Sequence, residues 1–145
     1  EVGFDDVPDA FVRASVIKEL RDTDRHFQPS VIAFSRVTNI LKSRPTTPLN
    51  PKLFDDPLEE QLHNSFTSIA NELPLPLRGK DYSSYKISFL KLAGLKTAID
   101  GFFGVGSTGV LVMHDDEQLR NNRLALLQEI ECVLLQIADF SKIIP

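Results

Sequence analysis

Apolar residues recur every three or four positions through most of the chain, the spacing of helices buried along one face. Asp6-Val7-Pro8 reads as a helix start, and Val12, Val16 and Leu20 then step by four, with Phe11 and Ile17 broadening the stripe. This predicts a first helix through about Arg21. Pro29 suits the first turn of a second helix, whose Ala33, Val37, Ile40 and Leu41 share a face until Arg44-Pro45 ends it. The segment from Pro45 to Pro51 holds three prolines and reads as a stiff loop. Asp56-Pro57-Leu58-Glu59 then supplies a capping carboxylate, a proline at the first helical position and a glutamate three residues after the cap. Behind that start, Leu58, Leu62, Phe66, Ile69 and Leu73 form the clearest amphipathic stripe in the sequence.

The run Leu73-Pro74-Leu75-Pro76-Leu77-Arg78-Gly79 cannot continue that helix, because its prolines remove amide donors, and it reads as a packed apolar linker. A fourth helix begins near Asp81 with Tyr82, Tyr85, Phe89 and Leu92 on one side, and Gly94 bends or breaks it before Leu95 to Phe103. The glycines of Gly104 to Gly109 predict an exposed loop. Val110 to Met113 could be extended or could drop into the core as a strap. Asp115-Asp116 starts a long last helix with Leu119, Arg123, Leu127, Ile130, Leu134 and Ile137 on one face. The pattern predicts an all-α bundle of about five to six helices, without internal repeats or low-complexity tracts.

Composition narrows this to one domain over residues 1–145: the chain has 42% hydrophobic and 25% charged residues, enough for a single core. No stretch approaches the roughly 18 continuous apolar residues of a membrane span, so a soluble domain is expected. Glu1-Val2-Gly3-Phe4-Asp5-Asp6 has no start methionine, basic lead or apolar signal segment, which reads as a piece of a longer chain. The lone Cys132 has no Cys or His at metal-ligand spacing and is expected to be a small buried hydrophobe in a reducing compartment.

The net charge of −4 argues against indiscriminate nucleic-acid binding, but the charges are unevenly spread. Arg36, Lys42, Arg44 and Lys52 lie in a stretch without any acid, and Arg78, Lys80, Lys86, Lys91 and Lys96 face only Asp81. Each stretch is either a local phosphate-binding face or an ordinary solvated helix surface.

Catalytic patterns are missing from the sequence. His26, His63 and His114 lie far apart with no second ligand at helical spacing, so no metal site is expected. Gly104-Val105-Gly106-Ser107-Thr108-Gly109 lacks the lysine of a phosphate-cradling loop, and Ser35, Ser65 and Ser107 have no nucleophile-elbow context. Asp55-Asp56 and Asp115-Asp116 stand where carboxylates satisfy free helix amides. The domain is expected to be non-catalytic.

Several separated blocks carry a family resemblance. Ala98-Ile99-Asp100-Gly101-Phe102-Phe103, Val110-Leu111-Val112-Met113, Leu119-Arg120-Asn121-Asn122-Arg123-Leu124-Ala125-Leu126-Leu127 and Ile137-Ala138-Asp139-Phe140-Ser141 follow one another in order. With Arg36-Val37-Thr38-Asn39-Ile40-Leu41 and Leu53-Phe54-Asp55-Asp56-Pro57, they resemble the C-terminal end of the bacterial-type glycyl-tRNA synthetase β subunit from about Phe11 to Phe140. The departure is Gly104 to Gly109, which looks like a surface insertion where the family has a short turn.

The resemblance implies a helical anticodon-binding domain, related to that of arginyl-type synthetases, within a glycine–tRNA ligase whose ATP- and magnesium-dependent aminoacylation takes place elsewhere. Its implied partners are glycine tRNA and the α subunit or catalytic domain of the same enzyme, with no DNA and no membrane. The implied compartment is the bacterial cytoplasm, or a chloroplast or mitochondrion. Glycine codons begin with two guanines, so the anticodon would present two cytosines, whose edges call for an acceptor at the amino group and donors at the ring. Arg36, Asn39, Lys42 and Arg44 are the first candidates for RNA contact, joined by Arg120 and Asn121, which fall outside the apolar stripe of the last helix. Arg123 lies on that stripe and reads as half of a structural ion pair, with Asp100 as a candidate partner. Tyr82 and Tyr85 read as core before base-stacking platforms. The competing expectation is a helical docking module that uses the apolar Leu73 to Leu77 loop to join a partner subunit or neighbouring domain without reading bases.

Overall fold

The structure, a computed structural model, describes residues 8–77, 79–105 and 108–143. The helix-start residues Asp6 and Val7, together with Arg78, Gly106 and Ser107, lie outside them. The described residues form an all-helical bundle: α1 (Asp9–Thr23), α2 (Phe27–Ile40), α3 (Pro57–Ala70), α4 (Tyr82–Leu92), α5 (Lys96–Phe103) and α6 (Glu117–Leu134). Short 3-10 turns at Pro51–Leu53, Ala93–Leu95 and Phe140–Lys142 tighten the corners.

The central element is α6. Residues Asn121 to Leu127 are buried on every side, so this helix is wrapped rather than merely faced. α2 packs on α5, α6 and the Phe140–Lys142 turn, α3 packs on α5, and α1 packs on α4. Phe34 joins these layers, with ring centroids 6.0 Å from Phe89 and 5.1 Å from Phe140, both edge-on. That tilted packing is the arrangement aromatic quadrupoles favour.

Local chemistry sets most of the boundaries. Asp56 and Glu59 form the capping box expected of α3, Asp81 caps α4 through the Ser84 amide, and Asp116 accepts from the amides of Gln118 and Leu119. The kink at Gly94 is the Ala93–Leu95 turn between α4 and α5. One boundary and one stripe residue differ from the periodicity. α2 ends at Ile40, and Leu41, Lys42 and Ser43 donate to carbonyls three residues back as Leu41 folds into the core. Phe11 is 65% exposed, because the inner face of α1 is set by Val16, Ile17 and Leu20.

Val110 to Met113 is a strap without strand pairing: Val110 and Val112 enter the core while Leu111 and Met113 face outward. Gly109 turns into it so closely that a Cβ there would collide with the Phe103 carbonyl oxygen. In the Leu73–Leu77 linker, Leu73 and Leu77 are buried, while Pro74, Leu75 and Pro76 are exposed. Its two outer leucines are thus part of the domain's own core, and the Pro74–Pro76 tip is the apolar surface left to the docking expectation.

Candidate nucleic-acid interface

The acid-free stretch begins on the outer edge of α2. Arg36 and Asn39, three residues apart on one face, are exposed, as are Lys42 and Arg44 in the turn that follows. The Arg36 guanidinium lies 4.6 Å from the centre of the Phe103 ring and 4.0 Å from Asp100 on α5. This partly restrained cation can still present its remaining donors to solvent. Lys42 and Lys52 make no ion pair with the described residues.

Between Leu41 and Pro57 the chain is nearly free of helix, and α6 holds it down. Arg44 Nη1 donates to Glu131 at 2.6 Å, and that carboxylate is only 4% exposed. The Thr46 amide donates to Asn121 Oδ1 at 3.2 Å. Asn122 behaves like a paired backbone unit, with its Oδ1 accepting from the Asn50 amide at 2.8 Å while its Nδ2 donates to the Asn50 carbonyl at 3.1 Å. The Asp55 and Asp56 amides both donate to Glu59 Oε2 at 2.8 Å, and Arg123 Nε donates to Glu59 Oε1 at 3.1 Å. Ordering an irregular segment costs about 1–2 kcal/mol of backbone entropy per residue. These anchors offset that cost and give the loop a defined surface.

Two site residues and one ion pair differ from the sequence expectations. Asn121 is not a surface residue: it is 7% exposed and fastened to the loop, because α6 is enclosed on the side where the helical wheel implied solvent. Arg120 is half-buried and donates to the His114 carbonyl at 2.9 Å, which ties down the entry to α6. Arg123 is structural as expected but pairs with Glu59, with a 2.7 Å bond to the Leu111 carbonyl, whereas Asp100 takes Lys96 and Arg36. Asn122 was missed altogether. Its signal was two consecutive asparagines inside a helix, residues that are poor helix formers unless their amides have other work.

The second basic stretch is largely neutralised. Lys86 pairs with Glu19, Lys91 with Glu72 at 3.8 Å, and Lys96 with Asp100. Tyr82 donates to Glu19 at 2.9 Å, and hydrogen bonds from Lys86 and then Tyr82 hold that carboxyl below its usual range. Tyr85 is fully buried and its hydroxyl donates to Asp9, as does the Gly79 amide at 3.1 Å. Burial pushes the Asp9 carboxyl up, but Tyr85, the Gly79 amide and Arg13 outweigh it and leave it below the ordinary value. Burial, and then Asp9, raise the Tyr85 phenol. Both tyrosines therefore serve the core and are not free stacking platforms.

The anchored loop borders two depressions. One, of about 870 Å³, lies between Thr46–Leu53 and the first turns of α6, lined by Gln118, Asn121 and the carboxylates of Asp116 and Glu117. The other, about 380 Å³, runs past Gln128 and Cys132, whose thiol is exposed where burial was expected because those positions face outward beneath the loop. Among the described residues, no three His, Cys, Asp or Glu side chains converge on a point that could hold a metal ion. No helix there is long and apolar enough to cross a membrane.

No family model matches the chain. Curated relatives do. The chain is 38% identical over 142 residues to the glycine–tRNA ligase β subunit of Geotalea daltonii, covering 98% of this chain and 20% of that protein. The β subunits of Geobacter sp. strain M21 and Myxococcus xanthus are also 38% identical, over 144 and 146 residues, each covering at least 97% of this chain. The chain spans about one fifth of the length of these relatives.

Proposed function

We propose, from the chain's homology over nearly its whole length to the C-terminal region of glycine–tRNA ligase β subunits, that it is the part of such a ligase that binds glycine tRNA at its anticodon. The feature of the molecule that best supports this reading is the exposed basic edge formed by Arg36, Asn39, Lys42 and the anchored loop behind them, whose own sequence carries no acid although Asp100 lies 4.0 Å from Arg36. Phosphate neutralisation by Arg36, Lys42 and Lys52 would supply most of the affinity, while Asn39 offers both a donor and an acceptor to an unstacked base. Arg44 contributes charge at the rim while it balances Glu131.

On this reading the aminoacylation chemistry, with its ATP and magnesium, belongs to other parts of the enzyme. The Gly104–Gly109 segment, which has no lysine to reach a phosphate, is consistent with that division. The α subunit or the neighbouring catalytic domain is the protein partner the proposal implies, in a soluble enzyme of the bacterial cytoplasm.

Binding of this chain to glycine tRNA, compared with a transcript whose two anticodon cytosines are replaced, tests the proposal. Preference for the natural anticodon is expected, and equal binding to both would remove base reading. Replacing Arg36 and Lys42 together by alanine should lower the slope of log K against log salt by about 1.4–1.8, roughly 0.7–0.9 for each phosphate no longer neutralised. An unchanged slope would exclude them as phosphate ligands.

A further inference from the structure

The 870 Å³ groove between the loop and α6 has features that neither packing nor phosphate binding explains. Asn121, more than nine-tenths buried, lines it. The Thr46 N–H must point at an acceptor, so the orientation of this amide is settled: Oδ1 meets Thr46 and Nδ2 is turned away from it. Nδ2 makes no hydrogen bond among the described residues, and it is not one of the enclosed atoms left without a partner. It is therefore a donor held at the groove surface by a buried anchor.

On the same wall, one turn before Asn121 along α6, stand the side chains of Glu117 and Gln118, both exposed and both able to accept. Pro48, Leu49 and Leu53 give the same groove apolar surface on which a flat ring can lie. No lysine or arginine lines it, and two carboxylates do, so an anion is disfavoured inside. The exposed cations Arg44 and Lys52 stand next to it in the chain, two residues before Thr46 and one before Leu53. The volume lies within the roughly 300–1,000 Å³ of typical ligand sites.

We propose that this groove receives a single unstacked cytosine of the bound tRNA, with its phosphates kept outside on the basic rim. The Asn121 Nδ2 donates to the ring acceptors of the base, and Glu117 and Gln118 accept from its exocyclic amino group. This rests on the tRNA-binding reading above and adds to it the place where a base is read. It also gives the three-proline loop a task beyond connection: it forms the wall that fixes how deep the ring can enter.

The test compares the whole chain with its Asn121→Asp and Gln118→Ala variants. Each is titrated with glycine tRNA and with transcripts carrying uridine in place of either anticodon cytosine. Uridine swaps the amino donor for an oxygen and the ring acceptor for an N–H. Asn121→Asp retains the acceptor for Thr46 and turns the donor into a second acceptor, suited to the N–H of uridine, while the repulsion between its added charge and the phosphates is common to all the RNAs and cancels in their ratio. Wild type should prefer cytosine at one position by roughly tenfold, as one well-made base contact provides. Asn121→Asp should bring that ratio to one or below and Gln118→Ala should lower it, while Lys42→Ala should weaken all the RNAs equally. Gln118 is exposed, so its variant still reports should Asn121→Asp fail to fold. If wild type discriminates and both variants discriminate as well, the groove is not the reading site, although the tRNA-binding proposal stands. If wild type binds all the transcripts equally, the groove reads no base and the anticodon-reading part of the proposed function fails with it, while failure to bind any of them would sink the tRNA-binding reading itself.

Discussion

Replacing Arg123 by methionine, which keeps much of the aliphatic volume, would test how the irregular loop is held to the bundle. The guanidinium side chain is 5% exposed and its partner Glu59 is 0% exposed. Removing one member of such a pair leaves a buried charge and costs about 3–5 kcal/mol. Two observations put this case at the low end. Glu59 Oε2 keeps the amide donors of Asp55 and Asp56, and Glu59 lies in the first turn of α3, where the helix dipole favours a carboxylate. The Leu111 carbonyl, which also loses its donor, belongs to an exposed residue and can be hydrated instead. A loss of about 3 kcal/mol is therefore expected, or roughly 6–12 °C in Tm for a domain of this size. Urea denaturation of wild type, Arg123→Met, Glu59→Gln and the double variant supplies the assay. The double variant should be less destabilised than the sum of the two singles by at least about 1 kcal/mol, since it removes the charge together with its partner. Additive losses, or a cost below about 1 kcal/mol for Arg123→Met alone, would show that the pair is not what joins α3, α6 and the strap.

Asn122→Ala should release Asn50 and cost about 1–3 kcal/mol, with faster hydrogen exchange at the Asn50 amide than in wild type; unchanged exchange would mean the loop is held by other contacts. Gly109→Ala should destabilise by more than about 1 kcal/mol in thermal unfolding, because its Cβ would collide with the Phe103 carbonyl, and a neutral result would place the loop elsewhere. The Asp9 carboxyl is held below its ordinary 3.8, so its contribution to stability is fully present above that pH and is lost as pH falls through the lower folded value. Acid unfolding of Asp9→Asn should accordingly lack this component, and coincident pH profiles for variant and wild type below pH 3.8 would refute it. Cys132 is exposed, so the folded protein should react with a thiol reagent without prior unfolding, and protection of the thiol would contradict its position.

The helices could be read from the sequence because a helix encodes itself locally. Asp56, Pro57 and Glu59 act within four residues of one another, and the steps from Leu58 to Phe66 repeat over two turns, so neither needs a distant contact to be recognised. The exposed basic run at the end of α2 was legible in part: the absence of nearby acids is local, but packing brings Asp100 to Arg36 and Glu131 to Arg44. Periodicity also showed that Arg123 belongs to a buried stripe. It could not name the partner, because Glu59 lies 64 residues away and only the crossing of α3 and α6 brings the two together.

Burial around α6 was likewise settled by the tertiary structure. A helical wheel assumes one inner and one outer face, whereas this helix is enclosed by α2, α3 and the loop over Thr46–Asn50, so Asn121 and Asn122 become anchors. Cys132, on the same helix, is exposed because it lies on the outward face there, between the buried Glu131 and Val133. The groove beside Asn121 is the clearest case: its two walls come from segments about 70 residues apart, and no local pattern in either one encodes the space between them.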